Sequence, residues 1–148
     1  MWSGEVEAAS KYPIWEVIQW PSADQMRHLK RFILSEGQRY QDLQPALDLV
    51  TPNKSNGPKT NVGWAYCACT GQRDIYLLYF ERGCPPATVS GLRPEARYQT
   101  LWFNPRTGRW CNADLVTANA QGVINLPEFP DKTCQEDWAL KLTLADGQ

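Results

Sequence analysis

Two textures of hydrophobic patterning divide this chain. From residue 61 onward, apolar positions come in short runs of period two, separated by turn formers. Val62, Trp64, Tyr66 and Ala68 alternate with Gly63, Ala65, Cys67 and Cys69. Residues 70–74 carry turn chemistry, and the run from Ile75 to Phe80 is apolar on both sides, which marks a strand buried between two layers. Over 97–103, Tyr98, Thr100 and Trp102 fall on one face and Leu101 and Phe103 on the other. Asn104-Pro-Arg-Thr-Gly108 then reads as a hairpin turn: Asn suits the first position, Pro fixes φ at the second, and Gly supplies the positive φ that re-enters a strand. The chain returns over 109–115, with further short strands at 87–89 and 122–126. Residues 137–144 close the pattern, with Trp138, Leu140, Leu142 and Leu144 on one face and Ala139, Lys141 and Thr143 on the other. About seven to eight short strands, with no helix of crossover length between them, predict a mainly β protein built as an antiparallel β-sandwich.

Residues 1–50 follow a different rule. The spacing predicts a helix over 22–35, with Ser22 and Gln25 as a capping box and Gly37 as the terminator. Met26, Leu29 and Ile33 form one stripe, Phe32 lies at its edge, and Asp24, Arg27 and Arg31 face the other way. Trp2, Ile14, Trp15, Val17, Ile18 and Trp20 are too apolar for a free arm, so this segment is expected to pack against the strands, with Trp15 buried. Residues 51–60 have linker composition. The expected organisation is a helical segment over 1–50, a linker over 51–60 and a sandwich over 61–148.

Composition narrows the chemistry. The chain has 148 residues and a net charge of -1, with 15 Lys and Arg against 16 Asp and Glu. Such a balance argues against a protein whose main partner is a phosphate backbone, and no apolar run reaches membrane-spanning length. The start shows no basic stretch followed by an apolar one, so it is not read as a secretory signal. Seven Trp, six Tyr and four Phe stand against a single His. That residue, His28, sits on the predicted helix without partners for nucleophilic catalysis and reads as a surface histidine. Cys67 and Cys69 lack the two-residue spacer of a zinc site and read as small core residues. Cys84, Cys111 and Cys134 complete an odd count whose pairing the spacing leaves open. Glu36, Glu81, Glu95 and Glu128 all lie beside turn residues and read as solvated acids, not as a glycosidase pair. Neither a phosphate loop nor a dinucleotide fingerprint is present, so no catalytic residue, metal or cofactor is expected.

Three segments together carry a resemblance. They are Pro21-Ser-Ala-Asp-Gln-Met-Arg-His-Leu-Lys30 with Leu43-Gln-Pro45, then Trp102-Phe-Asn-Pro-Arg-Thr-Gly108, and Leu126-Pro-Glu-Phe-Pro130 leading into Asp137-Trp-Ala-Leu140. Over about 15–145 the chain resembles the C-terminal part of glycoside-hydrolase-like proteins. In these a TIM barrel of the apiosidase-like type is followed by a β-sandwich of the "putative collagen-binding domain" family. The resemblance implies a non-catalytic accessory domain, with 22–35 as the last barrel helix and the barrel as its partner in cis. It also implies an extracellular or periplasmic setting. The barrel strands that carry the catalytic acids have no counterpart in this chain.

Two other functions fit the residues. One is a carbohydrate-binding module, in which exposed aromatic faces stack on sugar rings and polar groups take the hydroxyls. Its candidate ligand-binding residues are Trp110, Arg106, Arg109, Trp102, Tyr98 and Trp64, with Trp110 the best placed for exposure beside the hairpin. The other is a protein-interaction domain that presents its helix. A connected aromatic patch would favour sugar binding, and an apolar patch around Met26, Leu29 and Ile33 would favour a barrel or another protein partner.

Overall fold

A computed structural model describes residues 12–54 and 63–145, apart from the side chain of Ile14. The expectations placed on Trp2, on Val62 and on 55–60 lie outside these residues. Two helices, α1 (Ile14–Val17) and α2 (Pro21–Ile33), and a 3₁₀ run over Leu34–Asp42 come before the strands. The strands are β1 (Leu43–Pro45), β2 (Val50–Thr51), β3 (Ala65–Thr70), β4 (Ile75–Phe80), β5 (Thr88–Val89), β6 (Arg97–Asn104), β7 (Arg109–Thr117), β8 (Ile124–Asn125) and β9 (Trp138–Leu144). They form a six-stranded sheet in the order β1-β3-β4-β9-β6-β7 and a three-stranded sheet in the order β2-β5-β8. All pairings are antiparallel, so the protein is mainly β, as its alternation predicts.

The period of two sorts each strand between two cores. Tyr76, Leu78 and Phe80 of β4, Trp102 of β6, and Leu140 and Leu142 of β9 face Val50, Val89 and Ile124 of the small sheet. The Phe80 ring lies 5.6 Å from Trp102 and 5.3 Å from Phe129, in the tilted and edge-on geometries aromatic pairs prefer. The opposite face of the large sheet carries Ile75, Leu77, Phe103 and Ala139, which meet Phe32 of α2 in a second, smaller cluster. The run Ile75–Phe80 is thus apolar on both sides because both sides are covered. The β6–β7 ladder contains a bulge: Leu101 pairs with Ala113 and Trp102 with Cys111, so Asn112, at φ 47°, is the extra residue.

Several sequence expectations need correction. The helix begins at Pro21 with Trp20 at its N-cap and no side-chain cap bond, so Ser22 does not cap it. Proline at the first helical position presets φ and has no N–H to satisfy, which removes part of the need for a cap. Residues 43–50, expected in the helical segment, and Thr51, expected in the linker, instead supply β1 and β2, with Leu43 opposite Thr70 and Val50 opposite Val89. Strands this short carry too few residues to show alternation. Trp15 and Ile18 are 68% and 69% exposed, so α1 does not bury the face its composition suggested. Gly37 does break the helical path, at φ 61°.

The segment is held to the strands further along. His28 donates from Nδ1 to the Pro105 carbonyl at 3.0 Å, and Arg31 donates to the Gly108 carbonyl at 3.0 Å. Lys141 of β9 pairs with Glu36 at 2.5 Å. Arg39 grips Asp74 at 2.8 and 3.3 Å, and Thr70 donates its hydroxyl to the same carboxylate at 2.5 Å. Arg39 first, then Thr70, holds the Asp74 carboxyl below its ordinary value of 3.8, against the opposing effect of burial. A carboxyl depressed in the folded state contributes stability above its unfolded pKa and loses that contribution as pH falls through the folded value. Asp74→Asn is therefore expected to lower the melting midpoint at pH 7 and to converge with wild type near pH 2. Parallel thermal melts across that range check it, and a constant offset down to the acid end would refute the assignment.

Candidate functional site

The hairpin between β6 and β7 is built by its own residues. Asn104 Oδ1 accepts the backbone N–H groups of Arg106 at 3.0 Å and Thr107 at 3.2 Å, and Gly108 N donates to Asn104 O at 2.8 Å. Gly108 sits at φ 67°, and a Cβ there would lie 2.5 Å from His28 Cδ2. Glycine is required twice over, by its conformation and by the closeness of α2.

The six residues singled out as ligand-binding are not brought together at this surface. Trp102, Tyr98 and Trp64 are 1%, 0% and 6% exposed. Tyr98 and Trp102 lie on the inward side of β6, where alternation sends them into the main core. The Tyr98 hydroxyl donates to Arg73 O at 2.7 Å, so its polar end is also occupied. None of the three presents a face to a sugar. Arg106 lies 5.2 Å over the Trp138 ring and donates to the Asp137 carbonyl at 2.5 Å, which ties the hairpin to the start of β9. Trp110 is half-buried, 4.7 Å from Phe103 and 5.7 Å from Phe32, with Lys141 Nζ 4.9 Å from its ring centre. Arg109 beside it is exposed. Lys30, Arg31, Trp110 and Lys141 border a shallow depression of about 490 Å³.

A larger concavity lies on the other side of α2. It is a groove of about 1150 Å³ between the two helices and the outer face of the large sheet. Val17, Ile18, Met26 and Leu29 line it from the helices, and Phe103 and Ala139 from the sheet. Its polar rim comes from Glu81, Arg82, Arg106, Glu136 and Asp137. Tyr79 donates to Asp137 at 2.6 Å, and the other Asp137 oxygen accepts Arg82 N at 2.8 Å. Burial, then that bond to Asp137, pushes the Tyr79 hydroxyl well above its ordinary value. Glu81 accepts the Tyr66 hydroxyl at 2.8 Å and Trp64 N at 3.3 Å. Glu81 and Glu36 are therefore engaged acceptors, unlike the solvated acids expected at those positions, whereas Glu95 and Glu128 are exposed. The groove is lined by apolar side chains, and its polar rim is engaged in hydrogen bonds within the fold. The stripe of Met26 and Leu29 was its sequence signal, but only the fold shows that the stripe faces outward, at 65% and 45% exposure, while Phe32 is the residue that buries.

Among the described residues no group of His, Cys, Asp and Glu could hold a metal ion, and no helix is long and apolar enough to cross a membrane. A family model described as "Putative collagen-binding domain of a collagenase" matches residues 46–143. The chain belongs to this family. Residues 46–143 take in β2 to β8 and all of β9 but its last residue. No curated protein matches this collagen-binding-type domain. Solved structures share its fold. One titled a glycoside hydrolase aligns at a TM-score of 0.62 and 16% identity, over 93% of this chain and 28% of its own. A glycoside hydrolase family 5 protein from Bacteroides vulgatus ATCC 8482 aligns at 0.62 and 15% identity, over 90% of this chain and 27% of its own. The domain thus spans under a third of either neighbour's length. The family match starts at residue 46, but the structural likeness extends into the helical segment before it.

The hairpin geometry gives a paired test. Gly108→Val places a β-branched residue at positive φ against His28 and is expected to cost about 2–3 kcal/mol. Trp110→Ala strips packing from Phe32 and Phe103 and is expected to lower the melting midpoint as well, by a smaller amount. Urea unfolding of both variants measures this. A Gly108→Val protein as stable as wild type would refute the described turn.

Proposed function

We propose that this chain is the non-catalytic accessory β-sandwich of a carbohydrate-active, glycoside-hydrolase-like protein, and that its groove seats against the catalytic barrel in cis. The observation that carries the reading is where the exposed apolar surface lies. Among the described residues, the exposed large apolar side chains are Tyr12, Trp15, Ile18, Trp20, Met26, Leu29, Leu34, Tyr40 and Leu115, and all but Leu115 fall within 12–40. Scattered apolar side chains on a surface are ordinary, but a continuous patch beside an apolar groove marks an interface. The family match, the glycoside hydrolase neighbours and the resemblance of α2 to a last barrel helix all support a barrel as the occupant.

Oxidative footprinting tests this. With an apiosidase-like barrel joined ahead of the domain, Trp15 and Met26 are expected to be protected relative to the isolated chain. Introducing Met26→Glu and Leu29→Glu is expected to restore labelling of Trp15. Equal labelling of the joined and isolated proteins would sink the proposal.

A second reading rests on Trp110, the one ligand-binding candidate whose ring keeps partial exposure, with Arg109 next to it. Affinity electrophoresis against neutral and acidic polysaccharides and soluble collagen decides it. Retention by a glycan that Arg109→Ala abolishes would favour a binding module, and a panel without retention leaves the accessory role alone.

A further inference from the structure

Two buried thiols meet at the loop that follows β4. Cys84 is 3% exposed and Cys134 is wholly buried, and both are free. They stand fifty positions apart in sequence, but the backbone brings them side by side. Gly83 N donates to Cys134 O at 2.6 Å, so the residue before one cysteine is bonded to the other. Cys84 N and the Cys134 thiol share one acceptor, the Glu81 carbonyl, at 3.1 and 3.4 Å. The Cys84 thiol is turned to its neighbour's carbonyl, Pro85 O, at 3.4 Å. Asp131 fixes the Cys134 backbone by accepting its N–H at 2.8 Å. We propose that Cys84 and Cys134 close into a disulfide when the chain folds in an oxidising compartment, and that the other three cysteines stay reduced.

The other thiols are placed differently. Cys67 and Cys69 are successive inward residues of β3 and belong to the core, with Cys69 taken by Arg73 at 2.9 Å. Cys111 lies on β7, at the edge of the large sheet. Geometry sets the pairing, since a disulfide demands close Cα atoms and suitably aimed Cβ atoms. Chemistry sets the timing. Burial, and then the charge of the Cys134 sulfur beside it, pushes Cys84 up to about 12, and burial pushes Cys134 up to about 11. The attacking species is the thiolate, so the folded pair exchanges slowly and the bond forms before the loop closes over it. With glutathione disulfide as oxidant, one cysteine thiolate attacks it and expels a glutathione thiolate. The second cysteine then attacks that mixed disulfide, the Cys84–Cys134 bond forms, and a second glutathione leaves. Two electrons pass to glutathione, and the two cysteine protons end on its two thiols. This inference is independent of the accessory role.

The test is disulfide mapping on the full chain. Reduced, denatured protein is refolded in a glutathione redox buffer, free thiols are alkylated under denaturing conditions, and the digest is analysed without reduction. The expected product is one peptide pair joining Cys84 to Cys134, with Cys67, Cys69 and Cys111 alkylated. Cys84→Ser and Cys134→Ser each remove that pair and leave the partner alkylated. Reducing the oxidised protein is expected to lower its melting midpoint by on the order of 10 °C, because the bond closes a long loop. Should refolding fail to restore the melting transition, chain expressed with a secretion leader into an oxidising compartment, so that it folds there, is mapped in the same way. Recovery of both cysteines as alkylated thiols, or joined to other cysteines, overturns the proposal.

Discussion

A sheet that is apolar on both faces must be covered twice, and the rest of this molecule follows from that requirement. β4 contributes Tyr76, Leu78 and Phe80 to one side and Ile75 and Leu77 to the other. An antiparallel sheet of this kind commonly leaves one face to water, with polar residues alternating outward. Here the outward positions of the central strands include Ile75, Leu77, Phe103 and Ala139 as well as the polar Gln99, Lys141 and Thr143, so the apolar part of this face is poorly served by water. The small sheet covers the inner face together with loop residues such as Leu92, Ala118 and Phe129. On the outer face one helix does the covering, chiefly through Phe32. A single helix about 10 Å across cannot roof a six-stranded sheet. The uncovered remainder is the groove, and its apolar lining is a consequence of how the sheet is written.

The same constraint explains the fastening of α2. Its anchors are two hydrogen bonds to carbonyls of the 104–108 hairpin, from His28 and Arg31, and the Phe32 ring between Phe103 and Trp110. The 3₁₀ run that follows adds Glu36 to Lys141 and Arg39 to Asp74. Each ion pair is partly exposed and contributes modestly by itself. Their value lies in where they act, because they set the helix against the outer face at one height and leave the groove side of it free of polar contacts.

What the sequence made legible follows from strand length and signal strength. β4, β6 and β9 have six to eight residues, enough for the two faces to separate, so the alternation sorted β6 and β9 into two sides and read β4 as apolar on both. The hairpin was legible because Asn104, Pro105 and Gly108 each suit a specific dihedral. β1 and β2 were not, since three and two residues hold no period and only their partners β3 and β5 reveal them. Aromatic residues misled for a related reason. The alternation that correctly sent Tyr98 and Trp102 to one side does not say which side meets water. That depends on the second sheet, which is assembled from β2, β5 and β8, the shortest strands in the chain. Trp15 erred the other way: its apolar character implied burial, but α1 has no partner within the residues described.

The hairpin shows why a turn rich in binding chemistry need not bind anything. Loops at the end of a sandwich are favoured places for ligand groups because the sheets hold them rigid. This one offers guanidinium, amide and indole groups, but nearly all of them are committed to the fold. Asn104 shapes the turn, Arg106 reaches across to Asp137 and Trp138, and Trp110 packs on Phe32. The carbonyls of Pro105 and Gly108 serve the helix. A group already satisfied within the protein must break a bond to engage a ligand, and the exchange yields little net free energy. The exposed apolar side chains of the groove, Ile18, Met26 and Leu29, have no hydrogen bond to give up. In the proposed docking the driving force is the burial of Ile18, Met26 and Leu29, which stand exposed beside the groove.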